Sequence, residues 1–444
     1  MDRDRLKKLA EERWMRRVVR KGKQYSPVEI GRKQRGQWYG YRSKILDLYT
    51  PFVPFSDRKQ LSQAWLTVPK KFSLSHNPVE TIAFFRKVVE YARSAKRPRL
   101  QIDHRQVEYL GLAADNVLGM LLKEISWECR GRRGYGLRGW KADKPEARKM
   151  MERIGCVRAV TDDPTRPSGE GELDLDLKTK GHVFRYRNSK FISTNGIVAD
   201  GKTKMVEHFA DHLDACLDNA GKRLSAEGKG DLSEYLGEVV SNAEDHSGLN
   251  EWLVCGYIDS DESELVYRCT VISFGETFAS TFLSLPEDAY ARQDVQLYVD
   301  MHQRKKLFSV GWRAEDLVAV VALQGDISSK NVDTSSTRGQ GTVDFLEFFS
   351  KISNSCLGNG VDATMGLLSG RTLISFDGTY HIQEPSPGAR KVIAFNAEND
   401  LTVRPDPKAV RALSGEGFPG VVMSISAPLT SDMVEQAHES EHEN

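Results

Sequence analysis

The sequence predicts an α/β (α+β) fold in two units, and three observations carry that prediction. Between about residues 70 and 160, strand-like segments alternate with amphipathic helical ones, the order that builds α/β layers. A second series of helical and strand-like segments runs from about residue 173 to 430. Between the two lies Thr161-Asp-Asp-Pro-Thr-Arg-Pro-Ser-Gly-Glu-Gly171, whose Pro, Gly and Asp content marks a linker. The organisation read from these features is an arm over 1–65, an α/β domain over 66–160, a linker over 161–172, a second domain over 173–430 and an acidic tail over 431–444. A length of 444 residues has room for this, at about 100–200 residues per domain.

Composition narrows the function classes. The chain is 39% hydrophobic, yet no run approaches the roughly 18 apolar residues of a membrane span. The start, Met-Asp-Arg-Asp-Arg-Leu-Lys-Lys, lacks the apolar stretch of a secretory signal. Cys129, Cys156, Cys216, Cys255, Cys269 and Cys356 include no Cys-x2-Cys pair, so their spacing indicates neither a zinc site nor a disulfide framework. A reducing cytoplasm is the expected location. The net charge of +1 conceals a strongly basic start, because residues 1–44 hold 15 Lys/Arg against 5 Asp/Glu, a local +10, which leaves 1 − 10 = −9 for the rest. Interleaved with Trp14, Tyr25, Trp38, Tyr39 and Tyr41, this segment has the make-up to grip nucleic acid through phosphate contacts and stacking. A solvated helix that docks on the acidic body of its own chain is the alternative.

Taken in order, Asp4 to about Arg20 reads as a basic helix, and Gly22, Pro27, Gly31 and Gly36 break regular structure beyond it. Pro78 suits the first turn of a helix from Val79 to Ala95. A strand, Arg99 to Ile102, comes next, then helices from about Val107 to Ile125 and Glu146 to Ile154. In the second unit Leu173-Asp-Leu-Asp-Leu alternates as a strand, and helices are expected near Lys204–Asn219 and Leu232–His246. Trp252–Ile258 and Glu264–Ser273 read as paired strands. A helix near Val343–Ile352 precedes strands at Thr364–Leu368, Thr372–Phe376 and Tyr380–Ile382, and Gly420–Ser426 is expected to close the sheet.

The most informative stretch is Leu232-Ser-Glu-Tyr-Leu-Gly-Glu238-Val-Val-Ser-Asn242-Ala-Glu-Asp245-His246-Ser247-Gly248. At about 100° per residue, Glu238, Asn242 and His246 fall within about 80° of one another, with Asp245 on the same edge. Leu236, Val239, Val240 and Ala243 are expected on the opposite, core-facing side. Downstream come Ser273-Phe-Gly275-Glu-Thr277 and Thr337-Arg338-Gly339-Gln-Gly341-Thr342. Magnesium needs few protein oxygens when phosphates supply the others, so one carboxamide suffices as the protein's share. A carboxylate one turn earlier stands where it can orient or deprotonate a water. Gly339 and Gly341 precede a helix start, where backbone N–H groups can approach phosphate. Ser328-Ser329-Lys330 opens a loop, Asn331 to Gln340, in which Lys330 and Arg338 can neutralise phosphate charge.

In order and spacing these three motifs resemble those of the GHKL ATPases, the superfamily of gyrase, the ninety-kilodalton heat-shock chaperone, histidine kinases and MutL. The resemblance covers about residues 180–430. It implies a Bergerat-type sandwich with helices over one face of a mixed sheet, ATP and Mg²⁺ as cofactors, Asn242 as Mg²⁺ ligand, and Glu238 as base or water-orienting group with a possible metal contact. It also implies nucleotide contacts from Asp245, His246, Ser273, Gly275, Thr277, Ser329, Lys330, Arg338, Gly339, Gly341 and Thr342, with residues 331–340 as a closing lid. One departure stands out: Ser273 occupies the place of the family's adenine-reading Asp, and a neutral acceptor contributes roughly 1 kcal/mol where a charged one contributes about 1.5–3. Residues 70–160, with Leu-Gln-Ile-Asp103 and Gly-Leu-Ala-Ala-Asp-Asn-Val-Leu-Gly119, more weakly resemble a STAS-type domain, although no Ser or Thr lies between Ile102 and Ile125 to accept a phosphate.

A competing motif is Gly196-Ile-Val-Ala-Asp-Gly201-Lys202-Thr203, which fits the P-loop expression between a possible strand and a helix. The functional expectation is therefore a regulatory ATP-binding protein, either an ATPase or a kinase that transfers phosphate to a protein partner. The alternatives are a nucleotide-gated binding module without turnover, and a P-loop NTPase. Expected partners are a protein, nucleic acid through residues 1–44, and a second copy of the chain; a membrane is not expected.

Overall fold

The structure, a computed structural model, describes residues 33–34, 37–38, 42–129, 134–161, 183–188, 201–218, 221–259, 265–304, 312–332, 340–356, 362–429 and 433–436. Most of the basic arm, the linker, the strand expected at Leu173–Leu177 and most of the tail lie outside the described residues. None of the described helices is long and apolar enough to cross a membrane.

The first helix, α1 (Lys44–Tyr49), is opened by Ser43, whose hydroxyl accepts from the Leu46 N–H at 3.1 Å and so satisfies one donor that the helix cannot. Within the span read as an arm, its residues Ile45, Leu46 and Tyr49 are buried. Strand β1 (Ala64–Thr67), helix α2 (Pro78–Ser94), β2 (Arg99–Asp103), α3 (Leu112–Glu128), β3 (Gly136–Trp140), α4 (Pro145–Arg153) and α5 (Cys156–Thr161) come next. The strands pair in parallel in the order β1-β2-β3. Helix α3 starts five residues later than its hydrophobic pattern suggests, because Tyr109 and Leu110 pair in parallel with Lys71 and Phe72.

The second unit contains β4 (Val183–Asn188), α6 (Gly201–Asp218), α7 (Ala226–His246), β5 (Gly248–Asp259), β6 (Val266–Gly275), α8 (Phe278–Leu283), α9 (Tyr290–Arg304), α10 (Ala314–Val321) and α11 (Gln340–Cys356). Strands β7 (Thr364–Gly370), β8 (Thr372–Phe376), β9 (Val410–Ala412) and β10 (Phe418–Pro428) complete it. Seven strands form one sheet in the order β9-β8-β7-β10-β6-β5-β4. Every pairing in it is antiparallel, so the mixed sheet expected from sequence is corrected. The last strand, β10, does not close the sheet at an edge; it is inserted between β7 and β6. Tyr380–Ile382 forms no strand, and beyond it only an isolated bridge joins Gln383 to Val392. Within the expected tail, Val434–Gln436 pairs antiparallel with Lys222–Leu224.

Strands β5 and β6 read as near-continuous apolar runs, the signature of a sheet covered on both faces. Trp252, Val254, Val271 and Met423 pack with Phe209 of α6, Leu236 and Val240 of α7, and Phe345 and Phe349 of α11. On the other face Leu253, Cys255, Ile272, Phe274 and Val422 share a core with Val117, Leu121 and Ile125 of α3. The amino-terminal unit thus covers the sheet's second face. A third, smaller core holds Phe282, Val295, Val299, Leu317 and Val318 of α8, α9 and α10, three helices that the sequence pattern did not announce.

Polar groups cross this junction too. Arg187 of β4 donates from Nη2 to Glu124 Oε1 of α3 at 2.6 Å and to Glu251 Oε2 at 3.2 Å, with the Arg187 and Glu124 side chains 6% and 0% exposed. Removing one partner of a buried pair strands the other charge in a low-dielectric interior. Glu124→Ala is expected to lower stability by about 3–5 kcal/mol, whereas Glu124→Leu combined with Arg187→Met recovers much of the loss. Urea unfolding monitored by circular dichroism measures both; a loss below about 1 kcal/mol for the single variant would contradict the assignment.

Candidate functional site

Helix α7 carries the site. It begins six residues before Leu232 because Ser225 caps it, its hydroxyl accepting from the Gly228 N–H at 3.0 Å. At its far end the Ser247 N–H donates to the Ala243 carbonyl, and Gly248, at φ +69°, reverses the chain into β5. Opposite this end, β6 finishes at Gly275, whose φ is +121°. A Cβ there would fall 1.8 Å from the Ser247 carbonyl oxygen, so the glycine is what lets that oxygen accept the Glu276 N–H at 2.9 Å. Thr277 then caps α8, accepting from Ser280 N at 3.0 Å.

Between these elements lies a cleft with about 610 Å³ of unfilled space, much of it at an open mouth. Val271 of β6, Val421 and Met423 of β10, Leu323 and Phe345 form its apolar surfaces. Asn242 of α7, Ser273 of β6, Thr277 and Thr342 of α11 supply neutral hydrogen-bonding groups. The structure therefore brings together residues from all three sequence motifs. Apolar walls with a few convergent polar groups are the usual make-up of a small-molecule site. The charged side chain among its described lining residues is Glu276, which is exposed. Cys269 sits two residues from Val271 on the same face of β6, and burial pushes its thiol up to about 12, which favours the neutral thiol.

Other expected residues stand elsewhere. Glu238 is half-buried on α7 and is not among the lining residues. Ser329 and Lys330 occupy a turn after Ile327, held where the Lys330 N–H donates to Ser328 Oγ at 3.3 Å and Asn331 Nδ2 donates to the Asp326 carbonyl at 2.8 Å; neither lines the cleft. Gly341 lies in the first turn of α11, one residue before Thr342. The side chains of Asp245 and His246, residues Arg338 and Gly339, and the rest of the loop over 333–339 lie outside the described residues. So do residues 196–200 of the P-loop expression, while Gly201, Lys202 and Thr203 open α6.

Val239 and Ala243, read as the core-facing back of α7, are buried in the core with Leu236 and Val240 and also line the cleft beside Asn242. At about 100° per residue, Val239 lies about 60° and Ala243 about 100° to one side of Asn242, and Glu238 about 40° to the other. The cleft takes the first arc, so the apolar and polar sides of the helix both contribute to it. Sequence reasoning also missed Glu276, Leu323, Phe345, Val421 and Met423. The alternation of Val421 and Met423 on one strand face was a visible signal, but only the insertion of β10 beside β6 directs that face to the site.

Comparison with known protein families, curated proteins and solved structures finds no match.

Proposed function

We propose that this chain is a regulatory ATP-binding protein of the GHKL type, with Mg²⁺-ATP held in the cleft between α7, β6, β10 and α11. The observation that carries the reading is the convergence of Asn242, Ser273, Thr277 and Thr342, which are up to 100 residues apart in sequence, on one apolar-walled cleft. In this reading the base enters between Val271, Leu323, Phe345 and Met423, and Ser273 accepts from its exocyclic amine. Asn242 contributes the protein's oxygen to Mg²⁺, with phosphate oxygens and water completing the shell. The phosphates meet the N-terminus of the 17-residue helix α11. No Lys or Arg is among the described lining residues, so in this reading neutralisation falls to Mg²⁺, to Lys330 just before a lid over 331–340, and to Arg338 within it. The sandwich is then of Bergerat type, and the STAS-like unit, docked on the sheet's second face, is a module that senses or transmits nucleotide state. Its partner is a protein, joined by a second copy or by nucleic acid at residues 1–44, and the setting is cytoplasmic.

A second reading, a nucleotide-gated binding module without significant turnover, is favoured by one observation: Glu238 stands outside the lining arc of α7. The P-loop reading is weaker, because β4 is an edge strand and pairs antiparallel with β5, whereas a P-loop comes after a strand of a parallel βαβ unit. Titration of the full chain with ATP, GTP and CTP, with and without Mg²⁺, tests the proposal. Mg²⁺-dependent binding of ATP is expected. Absence of binding for all three nucleotides overturns the reading, and equal affinity for the three overturns the role given to Ser273.

A further inference from the structure

The amino-terminal unit contains a second cluster that the nucleotide reading does not use. His104 directly succeeds β2, Asp115 lies in the first turn of α3, and Cys156 opens α5. Their exposures are 3%, 0% and 3%, and one donor atom from each lies within 4.8 Å of the others. Cys156 Sγ is 3.8 Å from His104 Nε2. In a tetrahedral zinc site, bonds of about 2.0–2.3 Å place neighbouring sulfur and nitrogen ligands about 3.6 Å apart. The separation therefore needs little adjustment. His104 Nδ1 lies 3.2 Å from the Trp140 carbonyl, and donation along that line leaves the Nε2 lone pair directed at the cluster, the usual outer-shell arrangement for a ligating histidine.

Asp115 supplies an independent pointer. Its Oδ2 accepts the Cys156 N–H at 3.0 Å, yet its fully buried Oδ1 has no hydrogen-bond partner among the described residues. A buried carboxylate oxygen without a donor is costly, and a cation is one of the few groups that would satisfy it.

We propose that His104 Nε2, Cys156 Sγ and an Asp115 carboxylate oxygen bind one Zn²⁺, or a similar borderline-soft divalent cation, with water in the fourth position. The thiol proton passes to solvent on binding. The ion would tie the start of α5 to α3 and to the loop after β2, and its ligands, 11 and 41 residues apart in sequence, match no zinc spacing.

The test uses the full chain stripped with a chelator. Titration with Zn²⁺ against a competing chromophoric chelator is expected to give one equivalent, and Co²⁺ a near-ultraviolet thiolate charge-transfer band. Cys156→Ser should abolish the band and weaken Zn²⁺ binding by at least about 10–100-fold, the loss that even an outer-shell change produces. Cys129→Ser should leave both unchanged. If Cys156→Ser does not fold, the wild-type Co²⁺ spectrum and a Zn²⁺-dependent rise in melting temperature decide. No bound equivalent in the wild type, or a band that survives Cys156→Ser, overturns the proposal.

Discussion

Asn242→Ala is expected to abolish Mg²⁺-dependent ATP binding, and Lys202→Ala to leave it nearly intact. Asn242 is the lining residue of α7 that can offer a carboxamide oxygen, and it faces a cleft whose described walls hold no cation. Magnesium loses water reluctantly and takes few protein ligands, so one missing oxygen removes the whole protein share of the coordination. Without the ion, the phosphates would face apolar and neutral walls, and Glu276 would repel them. Lys202, by contrast, stands in the first turn of α6, after an edge strand. Calorimetric titration of each variant with ATP and Mg²⁺ reads the ranking directly. The reverse ranking would move the site to the P-loop expression and leave the cleft without a ligand.

Glu238→Gln is expected to keep nucleotide binding while lowering hydrolysis by about 10²–10⁴-fold, the range of a general-base contribution. Glutamine retains shape and hydrogen-bonding capacity but loses charge and basicity. Glu238 lies one turn before Asn242, about 40° around the helix from it and on the side away from Val239. In the proposed ATPase reading the terminal phosphate lies on that side of the helix, where the carboxylate would hold a water without touching the base. Single-turnover hydrolysis of radiolabelled ATP separates chemistry from binding. In the variant, the proposed lid from Ser328 to Gly341 should stay closed over unhydrolysed ATP and protect Lys330 and Arg338 from trypsin. A wild-type rate in Glu238→Gln would reduce Glu238 to a polar helix residue, and an inactive wild type would favour the binding-module reading.

Several features of this protein were legible in the residues alone, because they depend on local periodicity and local chain chemistry. Pro78 at a helix start, the run of α7 to His246 and the strand pair β5 and β6 all depend on neighbours within a few turns or one hairpin. The polar stripe on α7 was likewise readable, since a helix places every third or fourth residue on one side. Tertiary structure decided what those faces meet. The insertion of β10 between β7 and β6 takes Val421 and Met423 to the cleft, and it depends on pairing across about 150 residues, which no local pattern records. Val239 and Ala243 stand at the cleft while sharing a core with Leu236 and Val240, a double role that depends on what packs around the helix and not on its own periodicity. Helix α3 covers the sheet's second face, with Glu124 paired to Arg187, because β5 and β6 are apolar on both sides and must be shielded from water. His104, Asp115 and Cys156 converge for the same reason: three elements packed on one core bring their ends together, and that distance is a property of the packing, not of the spacing in the chain.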